Sequence, residues 1–129
     1  MATIPSALVI DDDSEALDAI SQVLTSVGVQ TVCLADSAEE ALEILKNRGF
    51  HLIVADYRLD GMDGVQFLEN VRANGDQTPL LLLSGAPDKS GIIRAVKQPN
   101  VDVFGKPFRV AEFSEAINRL VQVHSSPSQ

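Results

Sequence analysis

Apolar residues along this chain come in two alternating rhythms. Ala7-Leu8-Val9-Ile10 is a continuous apolar run, and Val29 to Leu34, His51-Leu52-Ile53-Val54-Ala55, Leu80 to Leu83 and Val101 to Phe104 read as further strands, short and largely apolar or β-branched. Between them, apolar positions recur every three or four residues, the spacing of one helix face. Ala16, Leu17, Ile20, Val23, Leu24 and Val27 mark the first helix, with Gly28 placed to close it in a left-handed conformation. Ala38, Ala41, Leu42 and Leu45 mark the second, opened by Ser37-Ala38-Glu39-Glu40 at capping-box spacing and followed by Gly49. Val65, Leu68 and Val71 mark a third, closed by Gly75. A shorter fourth spans roughly Lys89 to Lys97, because Pro99 cannot continue it. Val110, Phe113, Ala116, Ile117, Leu120 and Val121 mark the last.

Strict alternation of strand and helix predicts an α/β fold, a parallel sheet with helices on both faces. Strands so uniformly apolar are expected to be covered on both sides. Ligands of such sheets bind beyond the carboxyl ends of the strands. A length of 129 residues suits one domain, expected over residues 1–124, with a polar tail at 125–129. Apolar residues at 45% and charged residues at 22% fit a folded chain that needs no disulfide. Cys33, the single cysteine, lies in a strand-like run and reads as a small buried hydrophobe in a reduced, cytoplasmic protein. A net charge of −8 argues against nucleic acid or an anionic membrane as a direct partner. No apolar run is long enough to span a bilayer, and Met1 to Pro5 carries no secretory pattern.

The residues that end the strands carry the chemistry. The first strand stops at Asp11-Asp12-Asp13, the third at Asp56, the fourth at Ser84 and the fifth at Lys106. In a parallel sheet these rise from one edge. Carboxylates ~4 Å apart repel by about 4 kcal/mol per pair at an effective dielectric near 20, so such a cluster needs protons or a cation. One or two carboxylates with positions left for water and a phosphoryl oxygen describe a Mg²⁺ site. Asp56 could then act as a nucleophile toward an anionic donor, with Lys106 and Ser84 taking phosphoryl oxygens. No glycine-rich nucleotide loop points to ATP as that donor. Taken singly, each residue has a plainer use. Asp13 reads as a helix cap, Asp11, Asp12 and Asp56 as caps or turn formers, Ser84 as a turn residue and Lys106 as a solvated cation. Their joint placement at four strand ends is what sets them apart. His51 and His124 read as surface residues, one at the opposite edge and one in the tail.

The segments Leu8-Val9-Ile10-Asp11-Asp12-Asp13, Val54-Ala55-Asp56, Gly61-Met62-Asp63-Gly64, Leu83-Ser84-Gly85 and Lys106-Pro107-Phe108 resemble the receiver domain of bacterial response regulators. The resemblance runs from about Ala7 to Val123. It implies a flavodoxin-like fold with five parallel strands in the order 2-1-3-4-5, doubly wound by five helices. It implies that Asp56 accepts a phosphoryl group from a phosphohistidine on a sensor histidine kinase or phosphotransfer protein. By the same resemblance Asp11, Asp12, Asp56 and the Arg58 carbonyl hold Mg²⁺ (or Mn²⁺), Ser84 and Lys106 contact the phosphoryl group, and the Lys106–Pro107 peptide is cis. Such a domain is no enzyme toward other substrates and catalyses only its own phosphorylation and dephosphorylation. Its output face, formed by the fourth helix, fifth strand and fifth helix, would meet a downstream protein.

The chain departs from that pattern at Val103, where the family usually has Tyr or Phe three residues before the lysine. Phe104 is one residue too late and should point to the other face. Asp60 replaces a common proline, and Arg58 and Ala86 occupy positions that in the family tune loss of the phosphoryl group. Arg58 could shield that group or pair with Asp60. Two other functions stay open on sequence grounds. A haloacid-dehalogenase-type phosphatase would use Asp11 as nucleophile, but Ser14-Glu15 stands where Gly-Thr is needed. A receiver-like module that is never phosphorylated would normally have lost part of the acidic set, the hydroxyl residue or the lysine.

Overall fold

The computed structural model describes residues 4–85, 89–106 and 109–125. Among these, five strands and five helices alternate: β1 (Ile4–Ile10), α1 (Ser14–Ser26), β2 (Val29–Ala35), α2 (Ala38–Asn47), β3 (Leu52–Asp56), α3 (Gly64–Ala73), β4 (Leu80–Ser84), α4 (Lys89–Val96), β5 (Val101–Gly105) and α5 (Val110–Ser125). All the pairings are parallel, in the order β2-β1-β3-β4-β5. The expected sheet is therefore the observed one.

Alternation along the strands sorts the core into two layers. Leu8, Ile10, Ile53, Ala55, Leu80 and Leu82 pack on one face against α2, α3 and α4. Ala7, Val9, Leu52, Val54, Leu81 and Leu83 pack on the other against Leu17, Ile20 and Leu24 of α1 and Phe113 and Ile117 of α5. Complete coverage holds for β1 from Ala7 onward, for β3 up to Ala55 and for all of β4, but not at the edges. β5 is half-buried for most of its length, and β2 exposes Gln30, Thr31 and Leu34. Cys33 is consequently half-buried rather than enclosed. The polar residues inside the edge strands, Gln30, Thr31 and Asp102, have no counterpart inside β3 and β4.

The helix ends follow their sequence signals with one shift. Asp13 caps α1 through its side chain, which accepts from the Glu15 amide, and Gly28 beyond it has a φ of 109°. Ser37 caps α2 by accepting from the Glu40 amide, but the Glu40 carboxylate reaches back to the amide of Asp36 instead of Ser37. A full capping box occurs at α3. There Asp63 accepts from the Gln66 amide at 2.8 Å and the Gln66 side chain accepts from the Asp63 amide at 3.0 Å. α5 continues through Ser125, so its last turn includes His124, which apolar spacing had put in a tail. Ala86, Pro107, Phe108 and residues 126–129 lie outside the described residues. No helix of the described residues is long and apolar enough to cross a membrane.

Candidate functional site

Register brings the strand ends level. Ile10 pairs with Ala55, so Asp11 and Asp56 leave β1 and β3 side by side. Asp56 pairs with Leu83, and Ser84 with Gly105, so the fourth and fifth strands end one step further along. The turn after β3 closes tightly. The Tyr57 amide donates to the Leu83 carbonyl at 2.7 Å, and the Gly64 amide donates to the Tyr57 carbonyl at 2.8 Å. A Cβ on Gly64 would lie 2.7 Å from the Leu82 side chain and 3.0 Å from the Tyr57 Cα. Only glycine lets α3 begin this close to the strand.

An open cleft of about 770 Å³ lies over these ends. Six carboxylates line it (Asp11, Asp12, Asp13, Asp56, Asp60 and Asp63), against two cations, Arg58 and Lys106. That excess of negative charge is what a bound cation would relieve. Lys106 Nζ sits 2.9 Å from Asp56 Oδ1, with the lysine side chain 35% exposed and the aspartate 13%. The Lys106 amide donates to the Ser84 carbonyl at 2.8 Å, fixing the backbone from which the ammonium reaches across.

Asp11 is the unusual member. It is 2% exposed, and its Oδ1 accepts from the Asp13 amide at 3.0 Å. Its Oδ2 is buried with no hydrogen-bond partner. Burial pushes the Asp11 carboxyl up from its ordinary 3.8, the Asp13 amide pulls it down, and the charge of Asp56 raises it further. A buried acceptor left open is rare because it forfeits a hydrogen bond without recovering one from water. Asp12 is exposed, as is Arg58. Among the described residues no three carboxylate, imidazole or thiolate groups close into a ready ligand cage. The expected acidic residues therefore share a cleft without converging on one point, an arrangement suited to a hydrated ion.

Ser84 ends β4 behind the cleft. It is 2% exposed and does not line the cleft, although the backbone joins it to Lys106. Val103 and Phe104 divide as their order predicts: Val103 packs on the α2–α3–α4 face, while Phe104 joins the other layer with its ring 6.0 Å from Phe113. Among the described ion pairs none joins Arg58 to Asp60. His51 lies exposed at the amino edge, its Nδ1 3.2 Å from the Ser6 hydroxyl. The Asp63–Gln66 box was missed in sequence, although Asp-x-x-Gln before an apolar face is its signal. Tyr57, also in the cleft lining, had no such signal.

A 2-1-3-4-5 parallel sheet with an acidic cleft and a lysine at its carboxyl edge defines the class of receiver-like α/β domains. The model of the response regulator receiver domain matches residues 7–118, and the chain belongs to that family, the receivers of two-component response regulators. The probable chemotaxis protein CheY of Rhizobium etli is 28% identical over 112 residues, covering 85% of this chain and 87% of that protein. The response regulator protein TodT of Pseudomonas putida is 30% identical over 115 residues, covering 89% of this chain. The chain spans about half, 50%, of TodT's length. The structure of the Francisella response regulator 1452 receiver domain superposes with a TM-score of 0.83 at 27% identity, covering 94% of this chain and 99% of that one.

Proposed function

We propose that this chain, as one receiver unit over residues 1–124, accepts a phosphoryl group on Asp56 and signals through the resulting change at the strand ends. The observation that carries the reading is the pairing of Asp56 with Lys106 in a cleft whose neighbouring Asp11 keeps one buried oxygen open. The donor set fits a hard divalent cation: Asp11, Asp12 and Asp56 supply carboxylate oxygens and Arg58 its carbonyl, with water filling the rest. Bound there, Mg²⁺ or Mn²⁺ supplies positive charge that offsets repulsion between Asp56 and an anionic donor and polarises a phosphoryl oxygen.

The protein's own groups do the remainder. An Asp56 carboxylate oxygen forms the new O–P bond as the N–P bond of a phosphohistidine breaks, and the electron pair returns to the imidazole, which takes a proton from water. Lys106, partly exposed and already on Asp56, needs only a short swing to meet a phosphoryl oxygen. Ser84 is buried beside the cleft, so its hydroxyl reaches the phosphoryl group only through movement at the end of β4. That movement is the switch. Asp11 is the poorer nucleophile, being almost fully buried and held by the Asp13 amide, which speaks against a phosphatase built on it.

The donor would be a sensor histidine kinase or histidine phosphotransfer protein in the cytoplasm, and the domain would act on no other substrate. Its output would pass to a downstream protein at α4, β5 and α5, with no direct nucleic-acid contact. Ile93 and Val96 on α4 and Val110 on α5 are large apolar side chains left exposed there at 49%, 57% and 51%. The test is intact mass after incubation with acetyl phosphate and Mg²⁺. The wild type should gain one phosphoryl group, and Asp56→Asn or added chelator should abolish the gain. No gain in the wild type would instead mark a module that is never phosphorylated.

A further inference from the structure

One side chain belongs to the cleft and also touches α4. Tyr57 lines the cleft next to Asp56, and its backbone is pinned on both sides by the bonds to Leu83 and Gly64. Its half-buried ring packs with the core layer under α2, α3 and α4. At the far end of the ring lies Gly91 of α4. A Cβ there would overlap the Tyr57 hydroxyl and approach Cζ to 2.7 Å and Cε2 to 3.1 Å. The glycine thus holds open a notch for the phenol in the first turn of α4, where alanine would be the better helix former.

Two further anchors of α4 are described. Ala95 is buried, and Arg94 pairs with Glu69 of α3 at 2.6 Å, but that pair is 47% and 37% exposed. Exposed pairs hold a helix weakly. Val103 sits on the same side of the sheet but is short and unable to span the distance a ring can. A shift of the chain at residue 56 must carry residue 57 with it, and the ring has α4 directly at its end.

We infer that Tyr57 is a positioning residue that relays a change at Asp56 to α4 through the notch at Gly91. This rests on Asp56 being the phosphoacceptor. The device sits between site and surface, and the partner that reads it would meet α4.

The chain contains one tyrosine and no tryptophan, so its tyrosine emission reports Tyr57 alone. The experiment follows the full chain after addition of acetyl phosphate and Mg²⁺, with intact mass recording phosphorylation, emission recording Tyr57, and amide shifts recording Ser90 to Val96. The wild type should change emission and shift the α4 amides. Gly91→Ala should gain its phosphoryl group yet shift those amides about twofold less or weaker still, the scale on which one contact modulates coupling. A thermal cycle gives a second readout. Gly91→Ala should lower Tm in the wild type and raise it in a Tyr57→Ala background, where alanine is simply the better helix former. If Gly91→Ala does not fold, Tyr57→Leu, scored per phosphorylated molecule, should show the same loss of α4 shift. Full α4 shifts in a phosphorylated Gly91→Ala, or one sign of Tm change in both backgrounds, would overturn the inference alone. Absence of any phosphoryl gain in the wild type would overturn the acceptor reading and this inference with it.

Discussion

The two ends of the sheet bury charge in opposite ways. At the carboxyl end Asp11 is 2% exposed with one oxygen unpartnered. At the amino end Arg72 is 7% exposed, and every nitrogen of its guanidinium donates a hydrogen bond. It donates to the carbonyls of Pro99 at 3.0 Å, Asp76 and Thr78 at 2.8 Å and Asn100 at 3.2 Å. Those carbonyls lead into β4 and β5, so one side chain from the end of α3 ties the starts of two strands. Burial lowers the Arg72 pKa while nearby Asp76 raises it, and the group needs no carboxylate in contact. A buried charge paired at each of its nitrogens braces the fold; a buried carboxylate with one oxygen open fits a site for a cation.

The contrast can be broken from either side. The largest expected effect is at Asp56→Asn, where phosphoryl gain by mass should vanish while the fold persists. Next is Arg72→Met, which takes the side-chain donor from the carbonyls of Pro99, Asp76 and Thr78, while the Asn100 carbonyl keeps the Leu80 amide. Urea unfolding should show a loss of about 3 kcal/mol or more, since each buried acceptor left open costs about 1–3 kcal/mol and water can recover only some. Phosphorylation of whatever fraction stays folded should be unaffected. Lys106→Met removes the cation on Asp56 and should slow phosphorylation about a hundredfold, the scale of losing one charge-stabilising donor, measured by time-resolved mass.

The smallest effect has a sign that separates the two ends most clearly. Burial raises the folded-state pKa of Asp11, so its contribution to folding is fully present below the unfolded value near 3.8 and is lost as pH rises through the folded value. Asp11→Asn should therefore stabilise the cation-free protein at pH 7 by about 1 kcal/mol, the usual scale for relieving one such defect. The gain should shrink as pH is lowered toward 3.8, read by urea midpoints. Adding Mg²⁺ should raise the Tm of the wild type more than that of Asp11→Asn. A substitution that strengthens the fold and weakens the ligand is the opposite of what Arg72→Met should do.

What the chain showed before folding follows from where each signal resides. That the sheet is parallel and that Asp11, Asp56 and Lys106 share its carboxyl edge was legible because apolar runs end abruptly in polar residues, and parallel strands present those ends together; the strand order, which sets Asp56 beside Asp11, was implied only by the resemblance to receiver domains. The placement of Ser84 was not legible, because being last in a strand does not say whether a hydroxyl faces the cleft or the core. Arg72 was invisible for a different reason. Its partners are backbone carbonyls up to 28 residues away, which no residue type advertises. Tyr57 against Gly91 is similar: a glycine inside a helix signals a close approach but not what approaches. Edge strands β2 and β5 carry Gln30, Thr31 and Asp102 within their length, where β3 and β4 are apolar up to their last residue; reading all five strands as uniformly apolar overestimated the coverage of Cys33.

The most direct test of the acceptor assignment is to locate the modified atom. After phosphorylation with acetyl phosphate and Mg²⁺, borohydride reduction converts an aspartyl phosphate to homoserine, and peptide mapping finds the residue. Homoserine at position 56 alone is the result expected; homoserine at 11 or 12, or a phosphoryl group found on His51 or His124, would contradict it.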